Sequence, residues 1–192
     1  MQFLLRGLLA WDLTERESGL GVVYLSFGLG LLVFTPIGGV LADRWAKRTL
    51  LVLGQGTIAL VAAAMGLAAV SNNAQFWMLM VASLAQGAMF GLIGPARVTT
   101  AAELVGHEHL GNAISLTSMS MSLTRIFGPA AAGVLAGVAA FGIGGAYLVA
   151  AVFSVVSTLL TMRLPKLEPQ AATREHPVTE ILDGVRYVRS EK

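Results

Sequence analysis

The sequence predicts an all-α membrane protein, from its composition and its apolar patterning. Hydrophobic residues make up 55% of the 192 residues and charged residues only 12%, outside the range of soluble globular domains. Apolar stretches recur that reach the roughly 20 helical residues needed to cross a hydrocarbon core of about 30 Å. They are apolar on most faces, rich in glycine, and lack the alternating polarity of barrel strands. Since only helices and closed barrels satisfy their backbone in lipid, we expect helices throughout.

Six membrane segments are predicted in a bundle that covers residues 1–164. The first, at 1–12, is shorter than a full span, so we interpret it as the end of a truncated helix. An arginine interrupts its apolar run and no basic residues precede it, which argues against a signal peptide. Short polar or charged segments separate the later runs, as expected of loops. The five complete spans are predicted at 18–42, 49–70, 75–103, 112–139 and 143–163.

Loop charges predict the orientation of this bundle. The loops at 71–75 and 140–145 carry no charge, whereas the loop at 43–48 and the tail after 163 are rich in lysine and arginine. By the positive-inside rule the basic segments, including the C-terminal tail, face the cytoplasm. Within the tail, residues 165–192 are predicted to form a cytoplasmic linker. Its apolar residues follow Pro177 at helical spacing, which indicates a short amphipathic helix on the membrane surface.

The loop at 43–48 belongs to a charged signature, Gly39-Val-Leu-Ala-Asp43-Arg44-Trp-Ala-Lys47-Arg48. It resembles the G-x-L-A-D-R-x-G-R-K/R pattern between helices 2 and 3 of the major facilitator superfamily, with Ala46 and Lys47 in place of a glycine and an arginine. The resemblance implies a latch at the inner face, in which Lys47 pairs with Glu103 and Asp43 contacts a helix end of the other half. Solvated charges that only set the orientation are the alternative. The expected gating residues are Gly39, Asp43, Arg44, Lys47, Arg48 and Glu103.

The chain also shows an internal repeat. FTPIGGVLAD at 34–43 returns as FGPAAAGVLAG at 127–137, and LRGLLAWDL at 5–13 returns more faintly as ARVTTAAEL at 96–104. Each offset encloses three helices, and an odd number turns the second copy upside down. We therefore expect a 3+3 inverted repeat, as in each half of a major facilitator transporter. Chance similarity between Gly-, Ala- and Leu-rich helices is the alternative.

A second stretch resembles one branch of that superfamily. It contains Pro95-Ala96-Arg97 and Arg125-Ile-Phe-Gly128-Pro129, and it is similar to bacterial siderophore and drug exporters, in which P-A-R and R-x-x-G-P recur. The resemblance implies the N-terminal six-helix half of a transporter in the bacterial cytoplasmic (inner) membrane. Its implied partners are the lipid bilayer, a small-molecule substrate and the missing C-terminal six-helix half of the same protein.

Polar residues form a stripe on the fifth predicted helix. Their spacings of three and four place them on one face, which lines either a water-filled path or a contact with another helix. At about 1.5 Å per residue, Arg125 lies roughly 20 Å deep, where a guanidinium is costly unless a ligand, water or a carboxylate in the missing half compensates it. Arg6 and Arg97 lie nearer opposite faces and have the reach to snorkel to the interface. The candidate substrate or cavity residues are Asn112, Ser115, Ser118, Ser122, Arg125 and Arg6.

Small residues follow Arg125 on the same helix. Gly128-Pro129 predicts a bend, and Gly133 with Gly137 predicts a close approach of another helix. The resemblance associates a glycine-proline motif here with exporters, although packing alone also explains it. On helix 4 the family motif R-x-x-Q-G is replaced by Ser83-Leu-Ala-Gln86-Gly87, and serine cannot supply the charge that the motif links to proton coupling.

The function predicted from these features is secondary active transport by alternating access, most similar to small-molecule efflux. We expect no enzyme activity, because the chain has no G-x-S-x-G, H-E-x-x-H or P-loop motif. No cofactor, bound metal or nucleic acid is expected, and without cysteine there are no disulfides. His107 and His109 read as surface residues rather than metal ligands. The alternative function is a polytopic membrane sensor or scaffold without transport activity.

Overall fold

The computed structural model describes residues 1–105, 109–138 and 141–165, and the regular structure in these ranges is entirely α-helical. This confirms the predicted all-α class. The predicted linker helix lies outside the described residues, as do His107 and the last residue of the predicted fifth span. The helices are α1 (Gln2–Thr14), α2 (Glu17–Arg44), α3 (Lys47–Val70), α4 (Phe76–Val105), α5 (Leu110–Gly137) and α6 (Gly142–Thr161).

Short connections reverse the chain between successive helices. Glu15 ends α1 in the left-handed conformation with φ 49°, and its backbone N–H donates to Trp11 O. Asn72, with φ 55°, turns the chain after α3, and Gly142, with φ 56°, begins α6. Asparagine and glycine tolerate this conformation better than branched residues do. Because the connections after α1, α2 and α3 are this short, each of these helices runs opposite to the next one.

Four helices in the described part of the chain are long and apolar enough to span a membrane: Glu17–Ala42, Lys47–Val70, Phe76–Ala101 and Gly142–Thr161. Helix α5 has 28 residues and therefore the necessary length, but its serines, threonines and Arg125 make it less apolar than these four. Helix α1 has only 13 residues. The sequence predicted five complete spans that are apolar on most faces, with a polar stripe on the fifth predicted helix, and α5 is a helix that carries these polar residues.

The tightest helix contact joins α2 to α4, backbone against backbone. Gly30 and Gly38 of α2 face Gly87 and Gly91 of α4, and no side chain separates the two helices at these points. A Cβ added at Gly91 would lie 2.8 Å from both the Leu31 carbonyl oxygen and the Thr35 nitrogen, too close for any side chain. Small residues four apart allow this close packing of membrane helices. Gly87-x-x-x-Gly91 is such a pair, and it is not among the close approaches predicted from the sequence.

Helices α3 and α6 form a second close pair. A Cβ at Gly144 of α6 would lie 2.8 Å from the backbone nitrogen of Val70, and one at Gly66 of α3 would lie 3.0 Å from the backbone nitrogen of Leu148. Helix α1 packs into the interior beside these pairs, where Leu5 and Leu9 are buried with Tyr147. The two pairs and α1 therefore form the core of the bundle.

Helix α5 lies at the edge of the described bundle. From Ile114 to Phe127 every side chain except the half-buried Thr117 is exposed, whereas Ala132, further along, is fully buried. The close helix approach predicted at Gly133 and Gly137 does not occur within the described chain. The only neighbour near a Cβ at Gly133 is the Leu4 side chain at 3.9 Å, and Gly137 has none within 4 Å. Backbone contact forms instead between α2 and α4, where both helices supply glycine.

Candidate functional site

Among the described residues, one arginine is buried in the interior of the bundle. Arg6 of α1 is 3% exposed, and its Nη2 donates a hydrogen bond to Oε1 of Gln86 in α4. The guanidinium also lies over the ring of Phe27 in α2, 4.6 Å from the ring centroid. A cation held by one amide oxygen and one aromatic face thus ties together three helices.

The charge of Arg6 is only partly compensated. Its Nη1 is buried with no hydrogen-bond partner among the described residues, and no carboxylate in those residues forms an ion pair with it. A buried charge normally requires a partner, because the cost of removing it from water is several kcal/mol. The position of Arg6 allowed its side chain to snorkel to the interface, but the side chain points into the bundle instead.

Gln86 belongs to the Ser83-Leu-Ala-Gln86-Gly87 segment and is a site residue that was not predicted from the sequence. It is 3% exposed on the same turn of α4 as the fully buried Ser83, whose hydroxyl donates to the Leu79 carbonyl at 2.7 Å. In the resembling motif an arginine stands at position 83. In this chain the guanidinium comes from Arg6 on α1, and it binds Gln86, the glutamine of that motif.

At the end of the bundle that carries the basic loop, Lys47 forms an ion pair with Glu103. Lys47 is the first residue of α3, and Glu103 lies in the last turn of α4. The ion pair thus joins two residues that are 56 positions apart in the sequence. Their side chains are 5% and 20% exposed, which leaves little water to screen the attraction. The second carboxylate oxygen of Glu103 and the hydroxyl of Thr100 are buried without a hydrogen-bond partner among the described residues.

The other signature residues have separate environments. Arg48 donates a hydrogen bond to the carbonyl of Met162, just after α6. This bond joins the start of α3 to the end of α6. Arg44 is exposed at the end of α2, and a Cβ at Gly39 would meet no atom within 4 Å. The side chain of Asp43 lies outside the described part of the structure.

The polar stripe of α5 lies on the exposed part of that helix. All five members, Asn112, Ser115, Ser118, Ser122 and Arg125, are exposed. The Ser122 hydroxyl donates to the Ser118 carbonyl at 2.9 Å, so its hydrogen bond is formed within α5. No hydrogen bond or ion pair joins the Arg125 side chain to another residue in the described ranges. The described helices therefore leave the stripe open.

The two arginines that the predicted repeat pairs lie in different environments. Arg97 follows Pro95 within α4 and is exposed, whereas Arg6, its counterpart in the predicted repeat, is buried. Gly128 lies near the start of α1, since a Cβ there would lie 2.9 Å from the nitrogen of Met1. Pro129 is inside α5, and the helix continues through it to Gly137.

Comparison with known proteins gives consistent matches along the chain. The family model for the Major Facilitator Superfamily matches residues 2–192. The enterobactin exporter EntS of Shigella boydii is 29% identical over 176 residues, which are 92% of this chain and 42% of that protein. The EntS protein of Citrobacter koseri is 29% identical over 178 residues, or 93% and 42%. The uncharacterized MFS-type transporter YfiS of Bacillus subtilis is 26% identical over 189 residues, or 95% and 43%. The chain thus spans less than half the length of these relatives.

Proposed function

Because the chain belongs to the Major Facilitator Superfamily, a family of membrane transporters, we propose that it forms one six-helix half of a secondary transporter that exports a small molecule. Two of the relatives reported above are named as exporters, which favours export over import. The family supports a multi-pass protein of the bacterial inner membrane, and the basic loops favour a cytoplasmic C-terminal tail. The sensor or scaffold alternative is not favoured, because neither function accounts for the family match.

The observation that carries the alternating-access proposal is the ion pair between Lys47 and Glu103. It joins the start of α3 to the end of α4 at the membrane face with the basic loop, and it is largely shielded from water. A pair of this kind stabilises the arrangement in which it is formed and must break when the helix ends separate. We assign it the role of a latch that holds the inner face closed.

The second half of the transporter is the proposed partner of α5. The relatives are more than twice as long as the matched segment, and the side chains of α5 from Ile114 to Phe127 are almost all exposed. The stripe that ends at Arg125 would then face the space between the two halves. A guanidinium there suits an anionic or carboxylate-bearing group on the substrate. Arg6, which is buried within the described bundle, would hold the wall of that path in shape.

Transport by the full-length protein tests this proposal. Enterobactin is the first compound to test, because two of the relatives are named for its export. The full-length protein should restore secretion to a strain that lacks its own enterobactin exporter. Arg125→Ala should lower the secretion rate at least tenfold, about 1.4 kcal/mol of lost interaction, and Arg125→Lys should keep part of it. Unchanged secretion in Arg125→Ala would remove that residue from the path. No secretion by correctly inserted wild-type protein would refute export of this compound.

The latch has its own test. Lys47→Glu and Glu103→Lys should each lower transport, because each places two like charges at one contact. The double exchange restores an ion pair, so it should recover activity above either single variant. Arg16→Glu, a charge reversal at an exposed position outside the signature, controls for the general effect of reversing one charge. A double variant no better than the single variants would show that the attraction between the two side chains is not what matters.

A further inference from the structure

An open groove lies on the outer side of α6, at the end where that helix meets the start of α3. Its volume is about 380 Å³, near the lower limit of ligand-binding pockets. The groove is separate from Arg6 and from the stripe of α5. It is lined by Phe153, Val156, Ser157, Leu160, Thr161 and Leu164.

The groove is apolar at one end and polar toward the other. Phe153 is 66% exposed and Val156 47% exposed, so this end presents bare hydrocarbon to the bilayer. One and two turns beyond Phe153, the hydroxyls of Ser157 and Thr161 donate to Oε1 of Gln55 in α3, at 3.2 and 2.9 Å. With about 1.5 Å of rise per residue, the step from Phe153 to Thr161 covers about 12 Å along the helix.

Positive charge collects at the polar end. Arg48 is held there by its hydrogen bond to the Met162 carbonyl, and the next residue, Arg163, is exposed. Lys47 is neutralised by Glu103, but no ion pair to Arg48 or Arg163 occurs among the described residues. Among the described residues, these two guanidinium groups therefore have no carboxylate partner, and they lie at the membrane face where the polar headgroups of lipids are found.

We propose that this groove binds one anionic diacyl phospholipid. The phosphate lies between Arg48 and Arg163, the glycerol esters lie beside the hydroxyls of Ser157 and Thr161, and an acyl chain runs along Phe153 and Val156. Arg48 and Arg163 lie at one end of the groove and the exposed side chains of Phe153 and Val156 at the other, with Leu160 and Leu164 adding apolar surface near the charged end, so the headgroup and the acyl chain of such a lipid have separate places along the helix. Basic pockets between membrane helices are a known way to bind anionic headgroups. The proposal does not depend on what the protein transports.

The experiment uses the purified full-length protein in nanodiscs that contain phosphatidylglycerol and phosphatidylcholine in equal amounts. Gentle extraction and native mass spectrometry then give the ratio of the two lipids that remain bound. Wild-type protein should retain phosphatidylglycerol preferentially. At about 1 kcal/mol per basic residue, Arg48→Gln should lower that preference about fivefold, and Arg48→Gln with Arg163→Gln about 25- to 30-fold.

Two further variants make the result specific. Arg44→Gln removes an equal charge from the same basic region but away from the groove, and its preference should equal that of wild type. Leu160→Trp leaves both arginines and fills the groove, so the lipid should be lost although the charge remains. Size-exclusion chromatography establishes that each variant is folded.

Three outcomes would overturn the proposal. An equal loss in Arg44→Gln would show that general surface charge attracts the lipid. Full retention in Leu160→Trp would place the lipid outside the groove. Absence of a preference in wild type would mean that the groove is empty of lipid or is covered by another segment of the chain or by a second copy.

Discussion

Replacement of Gly91 by alanine tests the backbone contact that we consider the main structural support of the bundle. In the structure a Cβ at this position would lie 2.8 Å from the Leu31 oxygen, 2.8 Å from the Thr35 nitrogen and 3.0 Å from the Phe34 carbonyl carbon. Ordinary contacts of a Cβ begin at 3.4 Å. All three neighbours are backbone atoms of α2, so no side-chain rotation can relieve the overlap. The two helices must separate by about half an ångström, which loosens their other contacts.

Two opposing effects set the size of the change. Overpacking of a close-packed interior costs typically about 1–3 kcal/mol, and contact with three backbone atoms places this site toward the upper end. Alanine in place of glycine in a helix contributes about 1 kcal/mol in the other direction. We therefore expect Gly91→Ala to destabilise the protein by about 1–2 kcal/mol, or a few degrees in the midpoint of thermal unfolding.

The matched control is Gly94→Ala, in the same helix one turn further on. A Cβ at Gly94 meets no atom within 4 Å, so only the gain in helix propensity remains and the protein should be slightly stabilised. A second pair repeats the comparison in α2, where Gly30 faces the backbone of α4 and Gly28 has no neighbour within 4 Å. Expression, detergent and helix propensity should affect both variants of a pair alike. A stability change of opposite sign within a pair therefore reports the backbone contact.

The assay is thermal or denaturant unfolding of the purified full-length protein in detergent, followed by circular dichroism. Gly91→Ala should lower the free energy of unfolding and Gly94→Ala should raise it slightly, so a change in the same direction for both variants would contradict the expected contact. That result would mean that α2 and α4 do not touch through their backbones.

Three further predictions concern the polar groups of the bundle. Gln86→Leu should destabilise the protein by about 1.5–3 kcal/mol in a denaturant titration, because the buried guanidinium of Arg6 loses its acceptor. Adding Arg6→Met to this variant should recover most of the lost stability. Purely additive losses in the double variant would contradict the contact. Glu103→Gln leaves a buried lysine without its carboxylate and should cost about 3 kcal/mol in the same titration, so an unchanged midpoint would contradict a buried ion pair. Residues 1–192 contain no cysteine, so Ser118→Cys and Leu116→Cys each introduce one reactive thiol into this part of the protein, and the full-length protein without either substitution gives the background labelling. The serine position should react faster with a water-soluble maleimide if the stripe faces water, and equal rates would argue against that.

The all-helical membrane class followed from the sequence because the bilayer imposes a strong local constraint. Each segment in lipid must satisfy its own backbone hydrogen bonds, so length and apolarity over some 20 residues suffice to indicate a helix. The charged signature from Gly39 to Arg48 also led to the correct family, since its residues are consecutive and need no tertiary information. The roles of these residues in gating and transport remain predictions.

The environment of each polar side chain was decided only by the tertiary structure. Arg6 lies eight residues from the end of α1, close enough to reach the interface by length alone, yet it turns inward because Gln86 and Phe27 from two other helices offer it partners. Those partners are 80 and 21 residues away in the sequence, and no local pattern reveals their proximity.

The choice among glycines was likewise a tertiary one. The sequence contains 22 glycines, and spacing alone drew attention to Gly133 and Gly137, whereas the backbone contact forms at Gly87 and Gly91. The hydropathy and charge of the sequence determined that this is a membrane protein and which segments become helices. Which helix faces which was determined by packing, because a close approach requires small residues on both helices at the same height, and a single chain segment contains only one side of that contact.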